Sequence, residues 1–226
     1  LTPVVLDGFD VSSSVPFRAK LFQIADQDYV LAVVMHHIAS DGGSLAPLVR
    51  DLTTAYVARS AGAAPELPEL EVQYADYAMW HRELLGDESD PESLSAKQID
   101  FWTRALAGTP EVIELPTDRP RPAQPSSRGA TVPFRLETDV VEGLNDLARR
   151  TNSTLFMVVH AALAVLLSRM AATDDVSVGT QIAGRGEQAL DPLVGMFGNT
   201  LVLRSHLEPG ESFEEFLLRT RTADLD

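Results

Sequence analysis

The sequence predicts an α/β protein built in two layers, because segments with the pattern of strands alternate with segments with the pattern of amphipathic helices along the whole chain. A second observation is the proline-rich stretch Leu115–Pro125, which suits neither helix nor sheet and predicts a semi-rigid extended connector. We therefore expect two lobes, residues 1–122 and residues 123–226. No short-period repeat competes with this organisation.

The first lobe is expected to open with a β-hairpin. Residues 17–24 alternate apolar and polar side chains, residues 26–28 supply a turn, and residues 29–34 form an unbroken apolar run rich in β-branched side chains. Such a run predicts a strand that is covered on both faces. Amphipathic helices are then expected over residues 45–59, 74–85 and 93–106.

The second lobe is expected to continue the alternation. Strands are predicted over residues 131–136, 176–182 and 200–207, and helices over residues 139–150, 153–170 and from Ser212 onward. The helix over residues 153–170 is apolar around most of its circumference, so we expect it to be mostly buried and N-capped by Ser153.

Composition excludes several classes of function. The chain has 226 residues, a formal net charge of -15 and no cysteine. The charge argues against nucleic acid or an anionic membrane as the main partner, and the lack of cysteine excludes disulfides and thiolate metal sites and fits a reducing, cytoplasmic compartment.

No signal peptide is visible, and the longest apolar run, residues 155–167, is shorter than the roughly 20 residues that span a bilayer. Because the chain starts without Met and stops inside a predicted helix, we expect a piece of a longer protein.

The segment with the most chemical information is Met35-His36-His37-Ile38-Ala39-Ser40-Asp41-Gly42-Gly43-Ser44. Side chains alternate along a strand, so the two histidines are expected to point to opposite faces, one into a cavity and one against the backbone. The two glycines relax the turn, and Ser44 is expected to N-cap the following helix.

Adjacent histidines permit several interpretations. Both can be structural, they can bind a metal together with Asp41, or one can be a general base near neutral pKa. Opposite-facing neighbours chelate one ion poorly, so we expect no metal site. A Ser-His-Asp triad is disfavoured, since no serine lies in a Gly-x-Ser-x-Gly turn.

His36-His37-x-x-x-Asp41-Gly42 resembles the active-site motif of nonribosomal peptide synthetase condensation domains, which consist of two chloramphenicol acetyltransferase-type lobes, each a two-layer α/β sandwich, joined in a V. Further segments resemble the family in the family's order: residues 74–80, 101–122, 179–185 and 194–204. The family's domain is considerably longer than this chain. The resemblance therefore implies two partial lobes, with the start of the N-lobe and the end of the C-lobe outside the chain.

The resemblance also implies an activity. Condensation domains are acyltransferases that join two substrates, each tethered as a thioester to the phosphopantetheine arm of its own carrier protein. The resemblance assigns the active imidazole to His37 and implies that the domain itself binds no cofactor. The partners that it implies are the donor and acceptor carrier proteins and an adjacent adenylation domain. We expect His36 to be structural, Asp41 to orient the motif through an ion pair with an arginine outside the chain, and the Gly42 N–H to act as a local donor.

The candidate substrate-binding residues are Gly43, Ser44, Asn199 and Thr200. Relatives often have an aromatic residue where this chain has Gly43, and usually Val where it has Gly198, so we expect a wider or looser channel. The Asn199 amide can hold either a backbone group or a substrate carbonyl.

Two other functions remain open. An epimerisation-type sibling is hard to exclude, although residues 201–204 look more like the condensing type, whereas a relative that only docks carrier proteins is disfavoured by the intact His37 and Asp41. The chain by itself is expected to be inactive if the channel needs both complete lobes, and exposed apolar surface should favour self-association.

Overall fold

The structure, a computed structural model, describes residues 7–124, 126 and 128–225. Pro125, at the end of the predicted connector, lies outside the described residues. Strands and helices follow one another in mixed order, and the strands form two sheets of two strands each, β1 with β2 and β3 with β4. The α/β class is confirmed. The elements are β1 (Phe17–Ala25), β2 (Asp28–Met35), α1 (Leu45–Ser60), α2 (Tyr74–Leu85), α3 (Leu94–Ala105), α4 (Thr138–Arg150), α5 (Leu155–Ala171), β3 (Asp175–Ile182), β4 (Asn199–His206) and α6 (Phe213–Leu225).

Two compact units make up the chain, and each is discontinuous in sequence. The first comprises Leu1–Lys97 and Gln181–Thr200, and the second comprises Gln98–Thr180 and Leu201–Asp226. The predicted boundary between partial lobes, after residue 122, stays a prediction.

The predicted hairpin at the start of the first unit is confirmed. β1 and β2 pair antiparallel from Phe17 opposite Met35 to Ala25 opposite Asp28, with an irregularity near Gln23. The apolar run in β2 is not covered on both faces, however, because Tyr29 and Leu31 are 53% and 48% exposed. Within the described residues the hairpin is a sheet of two strands only, so that expectation was wrong.

The core of the first unit is small and lies beside the segment that follows β3. Leu190, Leu193 and Phe197 are buried, and the partly buried Tyr74 and Tyr77 of α2 pack against them. The segment between β3 and β4, whose described secondary structure is a 3-10 turn at Gln188–Leu190, is thereby fixed by apolar contact with a helix.

The larger core belongs to the second unit. Val158 and Ala161 of α5, Val176 of β3 and Leu217 of α6 are at most 1% exposed and form one cluster. A buried hydrogen-bond contact also links α5 to α6, since His160 Nδ1 lies 3.1 Å from the Asp224 carboxylate.

Two predictions in the second unit were wrong. Residues 131–136 form no strand, because no partner strand pairs with them in the part of the chain that the structure describes; Val132 and Phe134 are 83% and 86% exposed. Helix α5 is N-capped by Thr154, whose Oγ1 accepts from the Met157 N–H at 3.2 Å, and not by Ser153.

Helix α5 is also less buried than its composition suggests. One face packs into the core while Phe156 and Leu166 remain more than half exposed. Among the described residues no helix by itself combines the length and hydropathy of a membrane span; α4 and α5, bent by 107°, meet that criterion only as a pair.

Neighbouring leucines on α6 allow a test of this core. Leu217 is fully buried, whereas Leu218 is 46% exposed. We expect Leu217→Ala to lower the free energy of unfolding by about 2–5 kcal/mol, because it leaves a cavity, and Leu218→Ala to lower it by less than about 1 kcal/mol. Urea unfolding of the two variants measures the difference. Equal losses would contradict the packing described here.

Candidate functional site

The paired histidines lie in a turn directly after β2. The strand ends at Met35, the His36 N–H donates to the Pro16 carbonyl at 3.0 Å, and the His36 carbonyl accepts from the Ala39 N–H at 2.9 Å. The argument that the two side chains alternate across a strand was therefore wrong, because the strand has ended before the pair begins.

His36 is half-buried and engaged by its own turn. Its Nδ1 accepts a hydrogen bond from the Ile38 N–H at 3.0 Å, and its ring makes a T-shaped contact with the Phe9 ring, with the centroids 6.1 Å apart. A nitrogen that accepts from an N–H carries no proton itself. These contacts favour the structural role expected for His36.

His37 has a defined tautomer. Its Nδ1 lies 2.8 Å from the Ser40 carbonyl oxygen, and because a carbonyl can only accept, Nδ1 carries the hydrogen. In the neutral imidazole the unprotonated nitrogen is then Nε2, which can accept a proton. His37 is exposed and forms part of the wall of a cavity of about 230 Å³. The wall consists of His37, Asp41, Gly42, Gly43, Gln181, Ile182, Ala183, Met196, Gly198, Asn199 and Thr200.

Asp41 ties the histidine turn to a segment remote in sequence. Its Oδ1 accepts from the Ser44 N–H at 2.9 Å, which caps the 3-10 turn Gly42–Ser44. Its Oδ2 accepts from the N–H groups of Phe197 at 3.0 Å and Gly198 at 3.2 Å. One carboxylate thus fixes both sides of the cavity wall.

Arg185 supplies the ion-pair partner of Asp41. Its Nη2 donates to Asp41 Oδ1 at 3.0 Å, and both side chains are less than 10% exposed. Its Nη1 donates to the carbonyls of Leu190 and, at 3.0 Å, Leu193, and its guanidinium lies 4.1 Å from the centroid of the Phe197 ring. We expected this arginine outside the chain, which was wrong. It is the last residue of the segment 179–185 and could have been identified from that motif.

The surroundings of Asp41 keep its carboxylate ionised. Burial raises its pKa, but the Phe197 N–H, the Ser44 donors and the Arg185 guanidinium favour the charged form more strongly and bring the pKa to about 2. The Asp41 carboxylate is therefore ionised at neutral pH.

Ser44 is buried, connects the histidine turn to Gly195 by hydrogen bonds, and is not part of the cavity wall. Its hydroxyl accepts from the Gly195 N–H at 3.0 Å and lies 2.8 Å from both the Gly195 carbonyl oxygen and Asp41 Oδ1, the two acceptors within reach of its hydrogen; Ser44 is 0% exposed. Its side chain makes no capping bond to α1, so the predicted N-cap was wrong: Asp41 caps the preceding 3-10 turn and Ser44 faces the other segment. Its predicted contact with substrate gains no support, because no part of it reaches the surface.

The two glycines thought to widen the channel differ. A Cβ on Gly43 would lie 2.9 Å from Arg185 Nε, so the space left by the missing side chain is occupied by the guanidinium and does not widen the cavity. A Cβ on Gly198 would meet only the Ile182 carbonyl oxygen at 3.6 Å and Asp41 Cβ at 4.0 Å. Of these two glycines, Gly198 is the one whose missing side chain leaves space in the cavity.

Asn199 and Thr200 lie on the cavity wall as expected of substrate-binding candidates. The Thr200 N–H donates to Asn199 Oδ1 at 2.8 Å, which fixes the orientation of the amide. The oxygen is used by the backbone, and the NH2 group remains as the donor end.

Helix α2 packs against the same wall and stabilises it through contacts that the sequence did not predict. The Tyr74 hydroxyl donates to the Met196 carbonyl at 2.7 Å, and the Tyr77 and Phe197 rings pack with centroids 4.7 Å apart. Gly195 lies so close to the Tyr74 ring that a Cβ there would overlap it. No group of three side chains suited to hold a metal occurs among the described residues.

A family model described as a condensation domain matches residues 4–226. The chain belongs to the condensation domain family of nonribosomal peptide synthetases. It is 49% identical over 225 residues to a dimodular nonribosomal peptide synthase of Bacillus subtilis (strain 168), a match that covers 100% of this chain and 10% of that protein.

Solved condensation-family structures are similar over nearly the whole chain. An X-domain from teicoplanin biosynthesis, in complex with OxyB, is 38% identical with a TM-score of 0.89, and the match covers 95% of this chain and 47% of that one. A holo four-domain nonribosomal peptide synthetase bound to AMP and glycine is 26% identical with a TM-score of 0.78, covering 96% of this chain and 16% of that one. The chain thus spans about half the X-domain chain and about a tenth of the Bacillus synthase.

The pKa of Asp41 predicts an acid-sensitive site. A carboxyl whose folded-state pKa of about 2 lies below its ordinary value of 3.8 stabilises the fold above that ordinary value, and this contribution is lost as the pH falls toward 2. The difference is worth about 2 kcal/mol. We expect urea unfolding of the unmodified chain to show this loss between pH 4 and pH 2, and Asp41→Asn to lack that part of the pH dependence. Identical pH profiles for the two proteins would contradict the prediction.

Proposed function

We propose that the complete condensation domain carrying this chain catalyses amide bond formation between two carrier-tethered thioesters. The observation that supports this proposal is the presentation of His37. Its Nδ1–H is held by the Ser40 carbonyl, its Nε2 is left free to accept a proton, and its ring forms part of the cavity wall. A neutral imidazole held in this way suits general-base catalysis of acyl transfer.

The proposed reaction transfers one proton, from the attacking amine to the departing sulfur. The α-amine nitrogen of the acceptor attacks the carbonyl carbon of the donor thioester, a C–N bond forms, and the carbonyl oxygen becomes an oxyanion. Collapse of this intermediate breaks the C–S bond and releases the donor arm as a thiolate. His37 Nε2 accepts the proton that the amine loses, and the same proton ends on the departing sulfur.

Charge stabilisation is the second role proposed for the site. The oxyanion needs hydrogen-bond donors that are already in place. The Asn199 NH2 and the Gly42 N–H are the donors we propose, since both residues lie on the cavity wall and the Asn199 oxygen is already used by Thr200. The imidazolium formed at His37 stabilises the same charge.

Most of the rate gain is expected from positioning. A thioester is already activated, and holding two tethered ends together can contribute roughly 7–11 kcal/mol in favourable cases. The domain then needs no cofactor of its own, because the phosphopantetheine arms belong to the donor and acceptor carrier proteins. An adjacent adenylation domain completes the proposed set of partners, in keeping with the four-domain synthetase that this chain resembles.

A docking function is the second candidate. It is favoured by the 38% identity to an X-domain that was solved in complex with OxyB, a separate protein. In that case the cavity would carry out no chemistry. An epimerisation-type activity would instead invert the donor amino acid without forming an amide.

His37→Ala provides the decisive variant. In the complete domain, supplied with two aminoacyl-loaded carrier proteins, we expect the variant to form dipeptidyl product about 10²–10⁴-fold more slowly, because general acid–base catalysis contributes about that much. Mass spectrometry of the acceptor carrier measures the product. We expect no large change in the free energy of unfolding, because the imidazole is exposed.

The matched control is His206→Ala, an exposed histidine at the end of β4 outside the site, which should keep the rate. Product formation by His37→Ala at the unmodified rate would rule out a chemical role for the imidazole. Absence of product from the unmodified domain would favour docking, and an inverted donor residue without product would favour epimerisation.

A further inference from the structure

The geometry points to Gly198 as the residue that determines how large an amino-acid side chain the cavity admits. This inference rests on the proposed function, since it concerns the aminoacyl groups that the domain would join. Three observations support it: the space around Gly198, the position of Gly198 on the cavity wall, and the different surroundings of the other glycines near the cavity.

Gly198 lies on the same cavity wall as His37. Its N–H donates to Asp41 Oδ2 at 3.2 Å, so its backbone is fixed by the buried carboxylate. Its backbone does not have a positive φ, so a side chain can be added there without strain. The missing side chain is thus a matter of space and not of backbone conformation.

A side chain at position 198 would occupy the cavity. Its Cβ would make ordinary van der Waals contacts with the Ile182 carbonyl oxygen at 3.6 Å and with Asp41 Cβ at 4.0 Å. Both contact residues are themselves on the wall. A methyl group there would therefore narrow the cavity while leaving the Asp41 hydrogen bonds in place.

The other glycines of the site differ from Gly198 in what a Cβ would meet. At Gly43 a Cβ would lie 2.9 Å from Nε of the buried Arg185, and at Gly184, whose φ is +64°, it would overlap the Phe197 carbonyl. At Gly42 a Cβ would meet nothing within 4 Å, so it would not extend a packed wall. Only at Gly198 does added bulk meet the wall without displacing it.

The expected effect is a change in selectivity. A methylene group in a close-fitting apolar pocket changes the preference between substrates by about 10–200-fold. A cavity of about 230 Å³ is small enough for one methyl group to matter. We expect a side chain at position 198 to disfavour bulky aminoacyl groups and to affect glycyl groups least.

The test compares Gly198→Ala and Gly198→Val with the unmodified complete domain. Carrier proteins are loaded with glycyl, alanyl, leucyl or phenylalanyl groups, first as acceptor with the donor held constant and then the reverse. The quantity measured is the ratio of kcat/KM for glycyl to that for phenylalanyl. We expect Gly198→Ala to raise this ratio at least 10-fold on one of the two sides, and Gly198→Val to raise it further.

The matched control is Gly186→Ala, which adds the same methyl group in the same unit, in open space and away from the cavity wall. It should leave the ratio unchanged. An unchanged ratio in both Gly198 variants, or an equal loss for every substrate, would overturn the inference while the proposed function stands. If the unmodified domain forms no amide with any pair, the proposed function fails and the inference fails with it.

Discussion

The buried ion pair between Asp41 and Arg185 is the interaction on which the site depends. The two residues are 144 positions apart in sequence, and both side chains are almost completely shielded from water. Charges in such a place are costly unless most of their hydrogen-bonding groups are engaged. Asp41 meets this condition through Ser44 and the N–H groups of Phe197 and Gly198. One carboxylate therefore determines the position of the turn that carries the imidazole.

The same pair explains which group is left for chemistry. Asp41 and Arg185 bind each other and the backbone around them, so neither charge is free for a substrate. His37 lies four residues before Asp41 and uses only Nδ1 within the protein, for the Ser40 carbonyl. The network thus separates two tasks: buried charges hold the loop, and an exposed imidazole with a defined tautomer is available for proton transfer.

The sequence predicted most of the elements because their patterns are local. The hairpin, the helices α1 to α6 and the strands β3 and β4 depend on periodicity and turn residues that neighbours supply. Failures occurred where the outcome depends on a distant partner. Residues 131–136 lack a partner strand in the described structure, and the histidine alternation failed because β2 ends at Met35. In the site, the motif identified His37 and Asp41, but the contacts of Ser44 with Gly195 and of Gly43 with Arg185 depend on packing that no local pattern encodes.

A double-mutant cycle on the ion pair tests this account most directly. The free energy of unfolding would be measured for the unmodified chain, Asp41→Asn, Arg185→Gln and the double variant. Because removing one member leaves the other charge buried without its partner, each single change should cost about 3–5 kcal/mol, and the double change should cost well below their sum. Additive losses would show that the two residues act independently and would contradict the account.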